Sequence, residues 1–232
     1  HRSTRRQATD WAWRGLEPAR GPARQSPRHR TSLDPTWRHR YSYRRGVTES
    51  VPSWLARARD QWTNRGDQRP DFAIEPGPGQ ESVWDYPRPP RVEPEPRAVR
   101  IVLGGQTIAT SDRTLRVLET SHPPGIYLPS EAFAAGSLIP NPRRTVCEWK
   151  GVAEYWDLTG GEVKAVAAAW SYPRPRHGFE AIAGYISVYP GRVDACYLGK
   201  EQVRSQEGSF YGGWVTDEIV GPFKGAPGTE GW

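Results

Sequence analysis

From residue 98 onward the chain is a series of short apolar runs separated by glycine pairs. Ala98 to Leu103 (AVRIVL) and Gln106 to Thr110 (QTIAT) flank Gly104-Gly105. A two-residue hairpin turn needs positive φ, which glycine adopts without steric cost, so this spacing predicts a hairpin. The arrangement recurs. Cys147 to Thr159 and Glu162 to Tyr172 flank Gly160-Gly161, and Val193 to Leu198 and Glu201 to Val203 flank Gly199-Lys200. Leu115 to Thr120 and Gly125 to Leu128 read as two more strands around a His122-Pro123-Pro124 corner. Helical signals are confined to Ser130 to Ala135 and Gly178 to Tyr185. Short strands, close turns and one or two short helices predict a mainly β, antiparallel domain over residues 75–232.

One phrase is written twice: WDYPRPPR from Trp84 and WSYPRPR from Trp170. Tandem duplication would place the Gly-Gly turns at matching offsets, yet Gly104 follows Trp84 whereas Gly160 precedes Trp170. The phrase is therefore a recurring local solution within one domain. Proline holds the preceding residue extended, and Trp and Tyr two apart on an extended chain project to one face. Each copy sets two aromatics side by side on a strand that its prolines keep out of a sheet interior. They serve either as plugs for the open ends of a β sandwich or as the wall of a cleft.

Composition divides the chain at about residue 75. Residues 1–74 carry 16 of the 32 basic residues against 7 of the 26 acids, and the remainder is slightly acidic, so the overall +6 belongs to the leader. Its Arg, Pro and Ser content cannot bury enough apolar area to offset ordering entropy, which predicts a largely disordered segment. Within it, Ser53 is placed to cap a helix with Trp54, Ala58 and Trp62 on one face. Arginines and tryptophans together make the leader a weak nucleic-acid arm or a solvated tail. A chain that opens at His1 and lacks Met reads as a fragment or as translation from upstream of the natural start. No run is long enough to span a membrane and no secretory signal is visible, so the expectation is a cytoplasmic protein without a membrane partner.

Two cysteines, Cys147 and Cys196, and no CxxC pair write neither a disulfide framework nor a zinc site, and one bridge joining them is left open. No cofactor or metal ligand set is read from the residues. Cys147, with His122 as its base, is the candidate for thiol catalysis, but a regular strand would put Lys150 on the face opposite the thiol. An inert buried Cys is the simpler reading. A binding module fits better. The candidate ligand contacts are the aromatics Trp84, Tyr86, Tyr155, Trp170 and Tyr172, with Lys150, Arg192 and Asp194 as polar anchors for a small molecule or peptide fragment. Glu148 and Lys150 are equally readable as an exposed cross-strand pair of little energetic weight. The closing GFYGGWVTDEIVGPFKGAPGTEGW predicts a wrap across the domain anchored by Trp214 and Phe223.

Taken together, WDYPRPPRVEPEPRAVRIVLGGQTIA, RVLETSHPPGIYLP, CEWKGVAEYW, AAWSYP, YPGRVDACYLG and FYGGWVTDEIVGPFKG resemble an uncharacterised bacterial family described as a domain of unknown function and labelled nucleotidyltransferase. The resemblance covers about residues 75–232. It implies a β-tent-like fold of two angled antiparallel sheets, similar to the thalidomide-binding domain of cereblon. It also implies nucleotidyl transfer as an alternative function, which would need clustered carboxylates to hold two metal ions. This chain has no Asp-x-Asp pair, and convergence of Asp112, Glu119 and Glu154 from separate strands would be required instead.

Overall fold

The computed structural model describes residues 52–232. The disorder and nucleic-acid expectations for residues 1–51 lie outside the described residues. Among the described residues one α-helix, α1 (Ser53–Asp60), precedes fifteen strands. These are β1 (Glu81–Ser82), β2 (Arg91–Glu95), β3 (Val99–Leu103), β4 (Gln106–Ser111), β5 (Thr114–Glu119), β6 (His122–Pro129), β7 (Leu138–Cys147), β8 (Gly151–Gly160), β9 (Val163–Ser171), β10 (Tyr185–Val188), β11 (Ala195–Leu198), β12 (Glu201–Gln202), β13 (Arg204–Ser205), β14 (Trp214–Val215) and β15 (Ile219–Val220). The chain is mainly β, as expected. A seven-stranded antiparallel sheet runs β2-β5-β6-β10-β9-β8-β7 and a four-stranded one runs β12-β11-β3-β4. Two short pairs, β13-β14 and the parallel β1-β15, complete the pairing.

The glycine turns close β3-β4, β8-β9 and β11-β12 where the spacing predicts them. Gly104 and Gly161 take φ of 59° and 56°. Gly160 is constrained differently: a Cβ there would collide with the Leu103 carbonyl, and one on Gly104 would collide with the Gly160 carbonyl. The two hairpin turns therefore rest on each other, joining the two sheets at their ends.

The core between the sheets takes Val99, Ile101 and Cys196 from the smaller sheet and Ile126, Leu128 and Ile186 from the larger. Burying such side chains contributes roughly 1.5–3 kcal/mol each. Tyr127, one residue out of phase, belongs instead to a second cluster with Val117, Tyr155 and Trp170. Period-2 alternation thus makes the seven-stranded sheet apolar on both faces, and the aromatic face is where the site forms.

Several sequence expectations change. Cys147 to Thr159 is two strands, because Cys147 pairs with Gly151 across a Glu148-Trp149-Lys150 turn. Gly151 allows this with φ of 104°. His122-Pro123-Pro124 is no corner but the start of β6, and the turn lies at Thr120-Ser121, where Ser121 has φ of 70°. The two expected helices are single 3-10 turns, Ser130–Ala132 and Glu180–Ile182.

The leader expectation also meets structure. Residues 52–74 pack on the β domain: Leu55 is buried, Arg59 Nε donates to the Glu148 carbonyl, and Ile74 N–H donates to the Gly221 carbonyl. α1 is preceded by Pro52 and has no side-chain cap, so Ser53 is its first residue, not its cap. Leu55 rather than exposed Trp54 faces inward, and Trp62 lies beyond the helix end. Local helical spacing could not anticipate this, because contacts such as those of Arg59 with the Glu148 carbonyl and the Trp149 ring are made to residues distant in sequence. Among the described residues no helix is long and apolar enough to cross a membrane.

Candidate functional site

The aromatic face of the large sheet is covered incompletely, and the gap is a cavity of about 190 Å³. Engineered cavities of about 150 Å³ hold benzene, so this volume suits a single-ring compound. Tyr127, Tyr155 and Trp170 rise from β6, β8 and β9, and Tyr172 and Tyr189 follow β9 and β10. Trp170 Nε1 donates to the Tyr127 hydroxyl at 3.3 Å. The Trp170 and Tyr189 ring centroids lie 4.4 Å apart, so aromatic walls meet at Trp170.

Closure comes from segments distant in sequence. Trp62 forms one wall and donates through Nε1 to Glu148 at 2.8 Å. The 206–213 loop forms another. A Cβ on Gly212 would overlap the Trp170 ring, and one on Gly213 would crowd the Gln206 amide and the Pro123 carbonyl, so both glycines are needed for close approach. Tyr211 meets His122 edge to face at 4.6 Å.

One end of the cavity is polar. The Thr120-Ser121 turn sets Glu119 opposite His122, and the 148–150 turn brings Lys150 to Glu119, with Nζ 3.2 Å from Oε2. Arg88, almost fully buried, lies 3.8 Å from the other Glu119 oxygen. Burial would raise the Glu119 pKa, but Lys150, His122 and Arg88 overcome it and hold the carboxyl down at about 2. Burial lowers His122 to about 4, and Arg88, Lys224 and Lys150 reinforce the shift against Glu119. The imidazole is therefore neutral at pH 7. Its Nδ1 lies 3.1 Å from the Gln206 side-chain nitrogen, which donates to it. Nε2 then carries the proton. Burial lowers Lys224 to about 8, helped by Arg88, although its ammonium donates to the Glu230 and Trp232 carbonyls and sits 3.8 Å from the Trp62 ring centroid.

The 148–150 turn also alters the thiol. Lys150 N–H donates to Cys147 Sγ at 3.4 Å, where a regular strand would have kept them apart. Burial nevertheless raises the Cys147 pKa, with Lys150 only partly offsetting it, so the thiol is protonated at neutral pH. Cys147 and Cys196 both carry free thiols. Among the described residues no three His, Cys, Asp or Glu side chains group as metal ligands do.

Of the sequence candidates, Lys150, Tyr155, Trp170 and Tyr172 line the cavity together with Cys147 and His122. Lys150 is a buried partner of Glu119 rather than half of an exposed pair with Glu148. Trp84 and Tyr86 lie elsewhere. Trp84 is sealed among Phe72, Trp232 and Pro222, and the Tyr86 hydroxyl donates to Glu81 at 2.7 Å. Asp194 accepts from Gly105 N–H at 2.9 Å and secures the β3-β4 turn. Arg192 stacks on Tyr189 at 4.2 Å and donates to the Ala167 and Ser209 carbonyls, behind the wall instead of within it. Sequence reasoning missed Tyr127, Tyr189, Gln206, Tyr211, Trp62 and Lys224, and weighed Glu119 only as a metal ligand. ETSHPP holds the signal for Glu119 and His122, once Thr-Ser is taken as a two-residue turn.

Residues 91–199 match the model of the family NTP_transf_9, described as Domain of unknown function (DUF427). That segment holds Glu119, His122, Lys150 and Trp170, while Trp62, Gln206, Tyr211 and Lys224 lie outside it. No curated protein matches the chain.

Proposed function

We propose that this chain, whose residues 91–199 belong to the DUF427 family, holds a small molecule or peptide fragment in the aromatic cavity. The observation that carries the reading is a built void of about 190 Å³ with aromatic walls and a polar end. Ligand sites combine these features, since apolar walls supply affinity and a few fixed polar groups supply orientation. Solid packing would instead have filled the space, because protein interiors leave few voids larger than a water. Trp84 and Tyr86 carry no part of this reading. Two free thiols fit a reducing compartment such as the cytoplasm.

Catalysis at Cys147 is the competing reading, favoured by the nearby Lys150 and weakened by a thiol held above its ordinary pKa. Nucleotidyl transfer, which the family label names, has no carboxylate cluster to support it among the described residues.

Thermal shift and intrinsic tryptophan fluorescence with a panel of neutral, anionic and cationic single-ring compounds test the proposal. At least one compound is expected to raise the melting temperature and quench fluorescence, since ligand at a hundredfold its Kd stabilises by about 2.7 kcal/mol. Trp170→Leu should weaken that response severalfold. A panel without a single response would leave the cavity reading unsupported.

A further inference from the structure

Lys150 and Lys224 line the cavity together with the carboxylates Glu119 and Glu148, so the lining charges balance. Behind them Arg88 lies 3.8 Å from Glu119, and Glu230 acts on Lys224. A ligand therefore meets charged groups already paired, and what it can use is the hydrogen-bonding capacity they keep. Two further cations stand at the aromatic walls: Arg143 packs on Tyr155 at 4.6 Å and Arg192 on Tyr189 at 4.2 Å. Neutral carbonyls satisfy the donors of Arg192 without cancelling its charge.

Donors are in surplus. The Lys150 ammonium has three protons and, among the described residues, one side-chain acceptor, Glu119. The Tyr127 hydroxyl accepts from Trp170 and keeps its own proton uncommitted. Tyr172 lines the same cavity, and no described group engages its hydroxyl. Burial raises the pKa of both tyrosines, so both remain O–H donors at neutral pH. Both carboxylates at this end are already engaged, Glu119 by Lys150 and Arg88 and Glu148 by Trp62 Nε1.

We propose that the ligand is a small planar monoanion, a ring carboxylate of about benzoate size, whose carboxylate meets Lys150, Tyr127 and Tyr172 while its ring lies against Trp170 and Tyr189. This rests on the cavity being a ligand site and specifies what the site selects. A cation would set its charge against Lys150 and Lys224, and a neutral amide would forgo the charge-assisted bond that a carboxylate takes from the spare protons of the Lys150 ammonium. The volume matches one ring and its carboxylate.

Calorimetric titration of the full chain at pH 7 with benzoate, its neutral isostere benzamide and benzylammonium is the test. Benzoate is expected to bind at least tenfold more tightly than benzamide, and benzylammonium to give no measurable binding. Because Lys150→Gln strips Glu119 of its nearest cation and risks misfolding, Tyr172→Phe is the companion variant. It keeps the ring, and it should weaken benzoate three- to tenfold. Benzamide or benzylammonium binding as well as benzoate would overturn the monoanion inference and leave the ligand pocket standing. Binding of none of the three would count against the pocket itself.

Discussion

Glu119 and His122 face each other across a two-residue turn, and each holds its charge state because of the other's neighbourhood. At neutral pH Glu119 stays ionised because Lys150 and Arg88 outweigh its burial, whereas His122 stays neutral because burial and the same cations oppose a further proton. Both pKa values are depressed, and both tie stability to pH with the same sign. A carboxyl held at about 2 against 4.5 contributes stability above pH 4.5 that is lost toward pH 2. An imidazole held at about 4 against 6.5 favours the fold above pH 6.5, and that contribution is lost as pH falls to 4. Chemical denaturation at stepped pH should therefore show stability declining in two stages, each on the order of 3 kcal/mol, since a tenfold change in proton affinity corresponds to about 1.4 kcal/mol. His122→Gln should remove the upper stage and move the lower one to higher pH, because the protonated imidazole helps hold Glu119 down. A wild-type midpoint constant from pH 7 to pH 4 would contradict this assignment of charge. The pair was hard to read from sequence because ETSHPP presents two prolines as the corner, and only the positive φ of Ser121 shows that the chain turns one step earlier.

At the level of elements, the hairpins were legible and their contacts were not. Gly-Gly spacing identifies the β3-β4 and β8-β9 turns through local backbone need alone. That Gly104 and Gly160 press against each other's neighbourhoods belongs to the meeting of two sheets, which no local pattern contains. The distinction has a measurable consequence. Gly105 has φ of 71° and open space around it, so Gly105→Ala should cost only the left-handed backbone penalty, about 1–2 kcal/mol. Gly160→Ala must displace the Leu103 carbonyl and the whole turn, with an expected cost of about 3 kcal/mol or more. Urea midpoints for the two variants check the order, and equal costs would mean that the turns do not bear on each other. The 148–150 turn escaped the same reasoning for the opposite cause. Glu-Trp-Lys contains no turn former, and Gly151 alone marks the reversal that carries Lys150 to Glu119.

Across the whole molecule, the repeated Trp-x-Tyr-Pro phrase has two fates decided by what lies next to it. Trp170 sits within β9 on a sheet face left partly uncovered, so it borders the cavity. Trp84 sits in a 3-10 turn against Phe72 and Trp232, and nothing is left open. Identical local chemistry thus gives a wall in one place and a plug in the other. The segment that seals Trp84 also carries Trp62 to the cavity, although composition alone assigned all of residues 1–74 to a leader. Arg content there predicts solvation, but Leu55, Trp62 and Phe72 are spent on packing: Leu55 is buried, Trp62 walls the cavity, and Phe72 stacks on Trp232 at 5.0 Å. The folded unit accordingly begins before residue 75. Against the full chain, one beginning at Glu75 loses Leu55, one cavity wall and the Phe72 edge packed on Trp84. Burial of one such side chain contributes roughly 1.5–3 kcal/mol, so its melting temperature should fall by several degrees. Its ring-compound affinity should fall with it, because Trp62 no longer excludes water from the polar end. Side-by-side calorimetry and titration of the two chains would settle the boundary, and undiminished binding by the shorter one would show that the β strands alone complete the site.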